Sequence, residues 1–184
     1  MMRLKEKYQK EVIPVMMKKF GYRNKMAVPR FEKVVVNAGF GRQIVQKNPA
    51  ERKKFLETML EQLSLITGQR PILTKAKKSI AGFKIKKGVP VGAMVTLRGQ
   101  RMWDFLERLI NIVLPRSRDF KGIPERSINL GNLTIGIRES IAFPEISPEK
   151  TREIFGLEVS VVTNASTREE ATELFRLTGF PIKF

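Results

Sequence analysis

The 184 residues include no cysteine and no histidine. Without cysteine, disulfides and thiol chemistry are excluded, and the absence fits a reducing compartment. Without histidine, the usual general base near neutral pH and the commonest metal ligand are gone. Together the two absences remove the frequent zinc sites and the Ser-His and Cys-His nucleophile systems. Only carboxylate, lysine or oxygen-metal chemistry is left to an enzyme. Long apolar runs are also missing: none approaches the roughly 18 residues of a membrane span. The opening MMRLKEKYQKEV has no apolar run behind its charges, so no secretory signal is expected. Acid is scarce in one part of the chain. Residues 1–101 hold 24 Lys+Arg against 6 Asp+Glu, a net of +18, while residues 102–184 hold 11 against 12, a net of −1.

What is present is cation. The formal charge is +17, and its unevenness points to a basic face on a neutral body with a polyanion partner, nucleic acid first. The densest cluster is KAKKSIAGFKIKK, from Lys75 to Lys87, with six lysines, no acid and one phenylalanine, Phe83. The bland reading of any one such cluster is a solvated surface. An apolar share of 42% suffices for a real core. The length predicts one domain over 1–184, with a strongly basic part at 1–101 and a near-neutral part at 102–184.

Elements follow from periodicity and punctuation. Residues 3–20 read as a helix with Leu4, Tyr8, Val12 and Val15 on one side, a kink at Pro14 and a stop at Gly21. A strand is expected at about 30–38. Asn48-Pro49 opens a helix carrying Leu56, Met59, Leu60, Leu63 and Ile66, closed by Gly68. Ile72 and Leu73 begin a short strand that runs into the lysine cluster. Gly88-Val89-Pro90 reads as a turn and Val91 to Arg98 as a strand. Residues 100–114 form a helix apolar over much of its circumference, which places Trp103 in the core. Residues 115–131 read as irregular, strands are expected at 132–138 and 157–163, and Thr167 with Glu170 forms a capping box for the last helix. That helix turns Ala171, Leu174, Phe175 and Thr178 inward and ends at Gly179 and Pro181. Strands and helices mix without a β-α-β rhythm. The fold class is therefore α+β, with helices packed on one face of a mostly antiparallel sheet of about five strands and a long basic loop.

Two strands carry the chemistry. Side chains two apart share a face. Val34, Val36 and Ala38 make one face of the first strand, and Lys33, Val35 and Asn37 the other. In the second, Val91, Ala93, Val95 and Leu97 face one way, and Met94, Thr96 and Arg98 the other. If helices cover one side, the mixed faces stay open, and cations with amides and hydroxyls suit RNA; an ordinary wet sheet face is the alternative. The lysine cluster reads as an exposed loop or long hairpin, steeply salt-dependent on a phosphate backbone. Phe83 either stacks on a base or ribose, or packs back on the loop's base. Val34 to Gly41 (VVVNAGFG) imitates a dinucleotide fingerprint but fails: position 44 is Ile rather than glycine, and the helix is not expected before Asn48-Pro49. Gly39 and Gly41 are then read as permitting a tight turn. The late carboxylates Glu139, Glu145, Glu149, Glu153 and Glu158 are read as solvated rather than as a hydrolytic pair.

The stretch from Ile66 to Gly122 resembles the core signature of the L-five family of large-subunit ribosomal proteins in its bacterial form. Residues 28–41, 136–146 (GIRESIAFPEI) and 161–184 agree with it in order. The resemblance implies a five-stranded sheet with helices on one side and no catalytic role, cofactor or metal. It also implies a cytoplasmic place in the large ribosomal subunit. The implied partners are 5S rRNA in the central protuberance, 23S rRNA, the elbow of P-site tRNA, reached by the lysine-rich loop, and a small-subunit head protein across an intersubunit bridge, with no membrane. The 5S rRNA contacts so implied fall on Lys33, Asn37, Gln69 and Thr96, with Arg98 beside them. The tRNA-contacting loop residues fall on Lys75, Lys77, Lys78, Ser79, Gly82 and Phe83, with Lys84, Lys86 and Lys87 completing the run. Two departures stand out. Residues 127–133 read SINLGNL where relatives commonly have Phe-Asp-Gly-Arg-Gly-Asn-Tyr, and Arg42 to Arg52 is longer than usual. The rival readings are an RNA chaperone or nucleic-acid-modifying enzyme with a basic groove, and a peripheral membrane protein drawn to anionic lipid by its lysines.

Overall fold

A computed structural model describes residues 3–118, 120–147 and 153–183. Among these residues the fold is α+β with eight strands: β1 (Phe31–Gly39), β2 (Ile72–Lys75), β3 (Pro90–Leu97), β4 (Ile123–Pro124), β5 (Ile128–Asn129), β6 (Asn132–Ile137), β7 (Leu157–Thr163) and β8 (Ile182–Lys183). Six of them form an antiparallel sheet in the order β2-β3-β1-β7-β6-β5, one more than the sequence leads one to expect. β4 and β8 make a separate two-residue parallel pair. The additional strand is β5, inside the segment read as irregular. It pairs with β6 through Ile128↔Leu133 and Asn129↔Asn132. The intervening Leu130 and Gly131 both have positive φ, 45° and 80°, the signature of a two-residue hairpin turn. Leucine at the first turn position, where asparagine or glycine is usual, hides the hairpin from a reader of the sequence.

The chain divides into two compact units. The first comprises Met1–Val34, Arg98–Ile135 and Val159–Phe184, the second Val35–Leu97 and Gly136–Glu158. The basic stretch 1–101 is therefore split between them. The first unit carries 20 Lys+Arg against 10 Asp+Glu (+10) and the second 15 against 8 (+7). The charge contrast between the two parts of the sequence is not a contrast between the two units.

In the first unit, residues 4–20 and 99–116 are helical, and each contains one π-helical turn, Tyr8–Val12 and Leu109–Val113. Each wide turn ends two residues before a proline, Pro14 or Pro115. A proline has no N–H for the carbonyl four residues back and its ring crowds that group. That carbonyl belongs to Lys10 in one helix and Asn111 in the other, inside the widened turn in both. The expected effect of Pro14 thus takes the form of a π-turn before it. Gly21 (φ 71°) ends the first helix. Thr167 and Glu170 form the expected capping box for the helix Arg168–Thr178, and Gly179 (φ 102°) ends it. Val12, Met16, Phe105, Leu106, Leu109, Leu174 and Phe175 are each no more than 1% exposed. Trp103 is half-buried rather than central. Its ring lies 5.3 Å from Tyr8 and 5.4 Å from Phe31, edge-on to the latter. Tyr22 donates to Glu170, and Lys19 pairs with Glu173 at 2.9 Å.

In the second unit, Asn48 and Pro49 open the helix Pro49–Thr67 with a capping box to Glu51. Phe55, Met59, Leu63 and Ile66 are its buried stripe. A short helix, Gly41–Gln46, occupies part of the longer 42–52 segment and buries Ile44. Lys47 then closes on Glu153 at 2.8 Å and sits over the Phe55 ring at 5.0 Å. Glycine is required at position 92 of β3: a Cβ there would meet Thr74 Oγ1 at 2.7 Å and the Ala38 carbonyl at 2.8 Å.

Candidate nucleic-acid interface

Strand alternation in β1 is as expected. Val34, Val36 and Ala38 are at most 1% exposed, whereas Lys33, Val35 and Asn37 are partly exposed on the other side. β3 repeats the pattern, with Ala93, Val95 and Leu97 buried and Met94 and Thr96 partly open. The valines and the leucine of each strand fix its register toward the core. A one-residue slip would bury Lys33 and Asn37 and expose the apolar set. The polar positions are thus held in place by the apolar ones.

Gln69 reaches the second unit's set by a different route. Gly68 ends the helix Pro49–Thr67 in the left-handed conformation (φ 67°). Thr67 then donates its hydroxyl to the carbonyls of Leu63 and Gln69. The chain leaves the helix with the Gln69 amide Nε2 donating to the Thr96 carbonyl at 3.3 Å. Within this unit the fold therefore brings together Gln69 and Thr96, residues 27 apart in the chain. The unit also contains Asn37. Lys33 and Arg98 belong to the first unit. Lys33 shares the partly open side of β1 with Asn37, and Arg98, exposed, is the residue before the helix that starts at Gly99. Charge, shape and hydrogen bonding are what the set has to offer a ligand.

The lysine cluster is a hairpin, one of the two forms expected. β2 and β3 pair antiparallel through Ile72↔Met94, Leu73↔Ala93 and Thr74↔Gly92. The register shifts between Thr74 and Lys75, where Pro90 has no N–H to give. Past the strands, Ala76 and Gly88 still bond across the stem. An isolated bridge joins Ile80 and Ile85. The tip is a 3-10 turn, Ala81–Phe83, followed by Lys84 in the left-handed region (φ 51°). The Ser79 hydroxyl accepts from the Lys87 N–H at 2.9 Å and closes the neck. Lys75, Lys77, Lys78, Ser79, Gly82, Lys84, Lys86 and Lys87 are all exposed. Phe83 is 63% exposed and Ile80 48%, so the ring is not folded back onto the stem.

One expectation is corrected. A helix does begin directly after β1, at Gly41, so the delay used against the dinucleotide fingerprint is not there. The missing third glycine still excludes the fingerprint, since Ile44 fills that position in the core. The chain turns at Phe40 (φ −134°, ψ 22°), between Gly39 and Gly41, neither of which has positive φ. Of the late carboxylates, Glu153 pairs with Lys47, Glu139 and Glu158 are exposed, Glu145 is half-buried, and Glu149 lies outside the described residues. Among the described residues no three of Asp and Glu gather closely enough to hold a metal ion, and no helix is long and apolar enough to cross a membrane.

Partly open strand faces of lysine, amide and hydroxyl, with an exposed cationic hairpin, are the class of surface that suits a polyanion. Comparison with known proteins narrows it. Residues 24–86 match the family described as ribosomal protein L5, and residues 90–182 match the model of the C-terminus of that same ribosomal family. The chain is 51% identical over 182 residues to the large ribosomal subunit protein uL5 of Carboxydothermus hydrogenoformans, covering 98% of each. It is 51% identical to that of Kosmotoga olearia (98% of this chain, 96% of the relative) and 50% identical to that of a Thermoanaerobacter species (98% of each). The chain belongs to the ribosomal protein L5 family. It is accordingly a structural, RNA-associated protein of the large ribosomal subunit and not an enzyme.

Proposed function

We propose that this chain binds 5S rRNA through Lys33, Asn37, Gln69, Thr96 and Arg98 and attaches it to the central protuberance of the large subunit. On this reading it also touches 23S rRNA and a small-subunit head protein, and it reaches P-site tRNA with the hairpin Lys75–Lys87. The observation that carries the reading is the pairing of an open, hydrogen-bonding strand face with family membership. Asn37 and Thr96 stay partly exposed between buried neighbours, and Gln69 is tied to the Thr96 carbonyl. Amide and hydroxyl groups of this kind read base edges and 2′-hydroxyls, which a wet sheet face has no reason to hold in register. The hairpin supports the tRNA part by its separate construction: six exposed lysines around an exposed aromatic ring suit a second, backbone-following contact.

The test is a filter-binding titration against 5S rRNA and a scrambled RNA of equal length at several salt concentrations. Non-specific attraction falls steeply with salt, whereas base and sugar contacts resist it. The expected result is 5S rRNA binding that persists at salt where the scrambled RNA no longer binds. Parallel loss of both RNAs would refute the reading.

A further inference from the structure

The hairpin Lys75–Lys87 includes an interval that no backbone ladder holds. Its stem closes where the Gly88 N–H donates to the Ala76 carbonyl at 2.9 Å, and its outer rung is the Ile80↔Ile85 bridge, with bonds of 3.0 and 3.3 Å. Between them lie Lys77, Lys78 and Ser79 on one arm and Lys86 and Lys87 on the other. Four of these five are exposed lysines, and like charges facing each other across two arms push them apart. Among the described residues one hydrogen bond crosses the interval: the Lys87 N–H donates to the Ser79 hydroxyl at 2.9 Å. Beyond it the tip is made of short-range bonds, from the Phe83 N–H to the Ile80 carbonyl at 3.3 Å and from the Lys84 N–H to the Ala81 carbonyl at 2.9 Å. Lys84 has φ 51°, a conformation that residues other than glycine seldom take unless their surroundings impose it. One corner of the outer rung has support from the body of the second unit: Ile85 is half-buried, and its Cδ1 would stand 3.7 Å from a Cβ built on Gly41. Ile80 and Phe83, by contrast, are 48% and 63% exposed.

We propose that Ser79 is a positioning residue for the tRNA contact: its hydroxyl latches the tip, Ile80–Lys84, to the stem and so aims the Phe83 ring in one fixed direction. The proposal rests on the reading of the hairpin as the tRNA-contacting element, and it adds that Ser79 acts through the tip rather than by touching the RNA. A ring stacks on a base or ribose only over a narrow range of directions, and a tip ordered beforehand need not be ordered on binding. The lysines supply attraction without direction, since each ammonium is a point charge on a flexible stem. Direction has to come from the backbone, and the backbone of the interval is held by this one bond. Serine suits the place because it accepts without carrying charge. Lysine or arginine at position 79 would offer only donors and add to the repulsion, and alanine would offer no acceptor. A carboxylate would accept the bond but cancel cation where the phosphate backbone comes. Because the latch works against charge repulsion, its loss is felt most at low salt, where that repulsion is least screened.

Ser79→Ala and Ser79→Thr test this on the full chain, each with and without Phe83→Ala, and with an unmodified tRNA as probe. They are compared with wild type by thermal melting, by amide hydrogen exchange at Lys84 and Lys87 in the free protein, and by tRNA affinity. Ser79→Ala should melt as wild type does, because the residue is exposed. It should speed exchange at both amides about fivefold at low salt and less at high salt, and weaken tRNA binding about fivefold, the scale of one neutral hydrogen bond. Ser79→Thr keeps the hydroxyl and should restore both properties. In the Phe83→Ala background, Ser79→Ala should weaken tRNA binding by about twofold at most, because the ring it aims is gone. Lower affinity with unchanged exchange would show that Ser79 touches the RNA itself and would overturn the latch. Wild-type affinity in Ser79→Ala, or independent and additive losses from Ser79→Ala and Phe83→Ala, would overturn it too. A wild-type protein that binds the tRNA no better than a scrambled RNA of equal length would overturn the tRNA reading, and this inference with it.

Discussion

Asn37 and Thr96 are polar residues fixed by their apolar neighbours. On either side of Asn37 stand Val36 and Ala38, and on either side of Thr96 stand Val95 and Leu97, none more than 2% exposed. A backbone held so firmly presents each side chain at a fixed place, and removal of that side chain leaves a partner group on the RNA unpaired. Asn37→Ala and Thr96→Ala are each expected to weaken 5S rRNA binding by about 1–3 kcal/mol, the scale of a polar group left without its partner. Melting temperature should scarcely change, because neither side chain is buried. Wild-type affinity in both variants, measured by titration, would remove these residues from the site. Glu170 makes a different, pH-dependent contribution. Burial alone would raise its carboxyl pKa; hydrogen bonds from the Tyr22 hydroxyl and from the Thr167 and Ser166 N–H groups outweigh this and hold it below the usual value. A depressed carboxyl contributes stability that is fully present above its unfolded pKa, about 4.3. That contribution fades as pH falls through the lower folded value. Glu170→Gln should therefore be less stable than wild type near neutrality, and the gap in melting temperature should close as the pH is lowered from about 5 toward 3. A gap independent of pH would show that the carboxylate charge is not what matters.

At the level of elements, the sequence was most legible where a local chemical rule dominates. Asn48-Pro49, Thr167 with Glu170, Gly21, Gly68 and Gly179 mark helix ends through caps and positive φ, which depend on a few neighbouring residues. The faces of β1 and β3 were legible for the same reason, since period-two burial needs no knowledge of the rest of the fold. β5 and the Gly41–Gln46 helix were not. A two-residue strand exists only through its partner β6, and a six-residue helix that would be marginal alone is held here by burying Ile44. The hairpin Lys75–Lys87 was legible as an element, and its construction separates it from the strand face. Its own bonds, Ile80 to Ile85 and Lys87 to Ser79, close within it. Replacing Lys77, Lys78, Lys84 and Lys86 with glutamine should leave 5S rRNA affinity within about twofold when measured at salt high enough to suppress non-specific attraction. Binding to the tRNA elbow and tRNA-dependent translation should fall by tenfold or more. Collapse of 5S rRNA binding in this variant would show that the two surfaces act as one.

Over the whole molecule, charge counted along the chain and charge counted by compact unit are distributed differently. Counting charges along the chain assigns the entire excess to residues 1–101, yet the fold deals that stretch into both units, which carry +10 and +7. The attraction felt by any RNA depends on how many phosphates are neutralised, with a slope of log affinity against log salt that changes by about 0.7 per contact on single strands. Lys18, Arg23 and Lys25 are exposed cations of the first unit, and Lys77, Lys78 and Lys84 are their counterparts in the hairpin. If both units present cationic surface, glutamine substitution of either triplet should flatten the salt dependence of binding to a scrambled RNA by a similar amount, up to about two units of slope. If instead the hairpin were the sole electrostatic contact, only its triplet would flatten the plot, and the first-unit triplet would reproduce the wild-type line. The comparison is best made between about 50 and 200 mM salt, where the screening length falls from about 14 to about 7 Å and the number of close contacts, rather than net charge felt at a distance, sets the result.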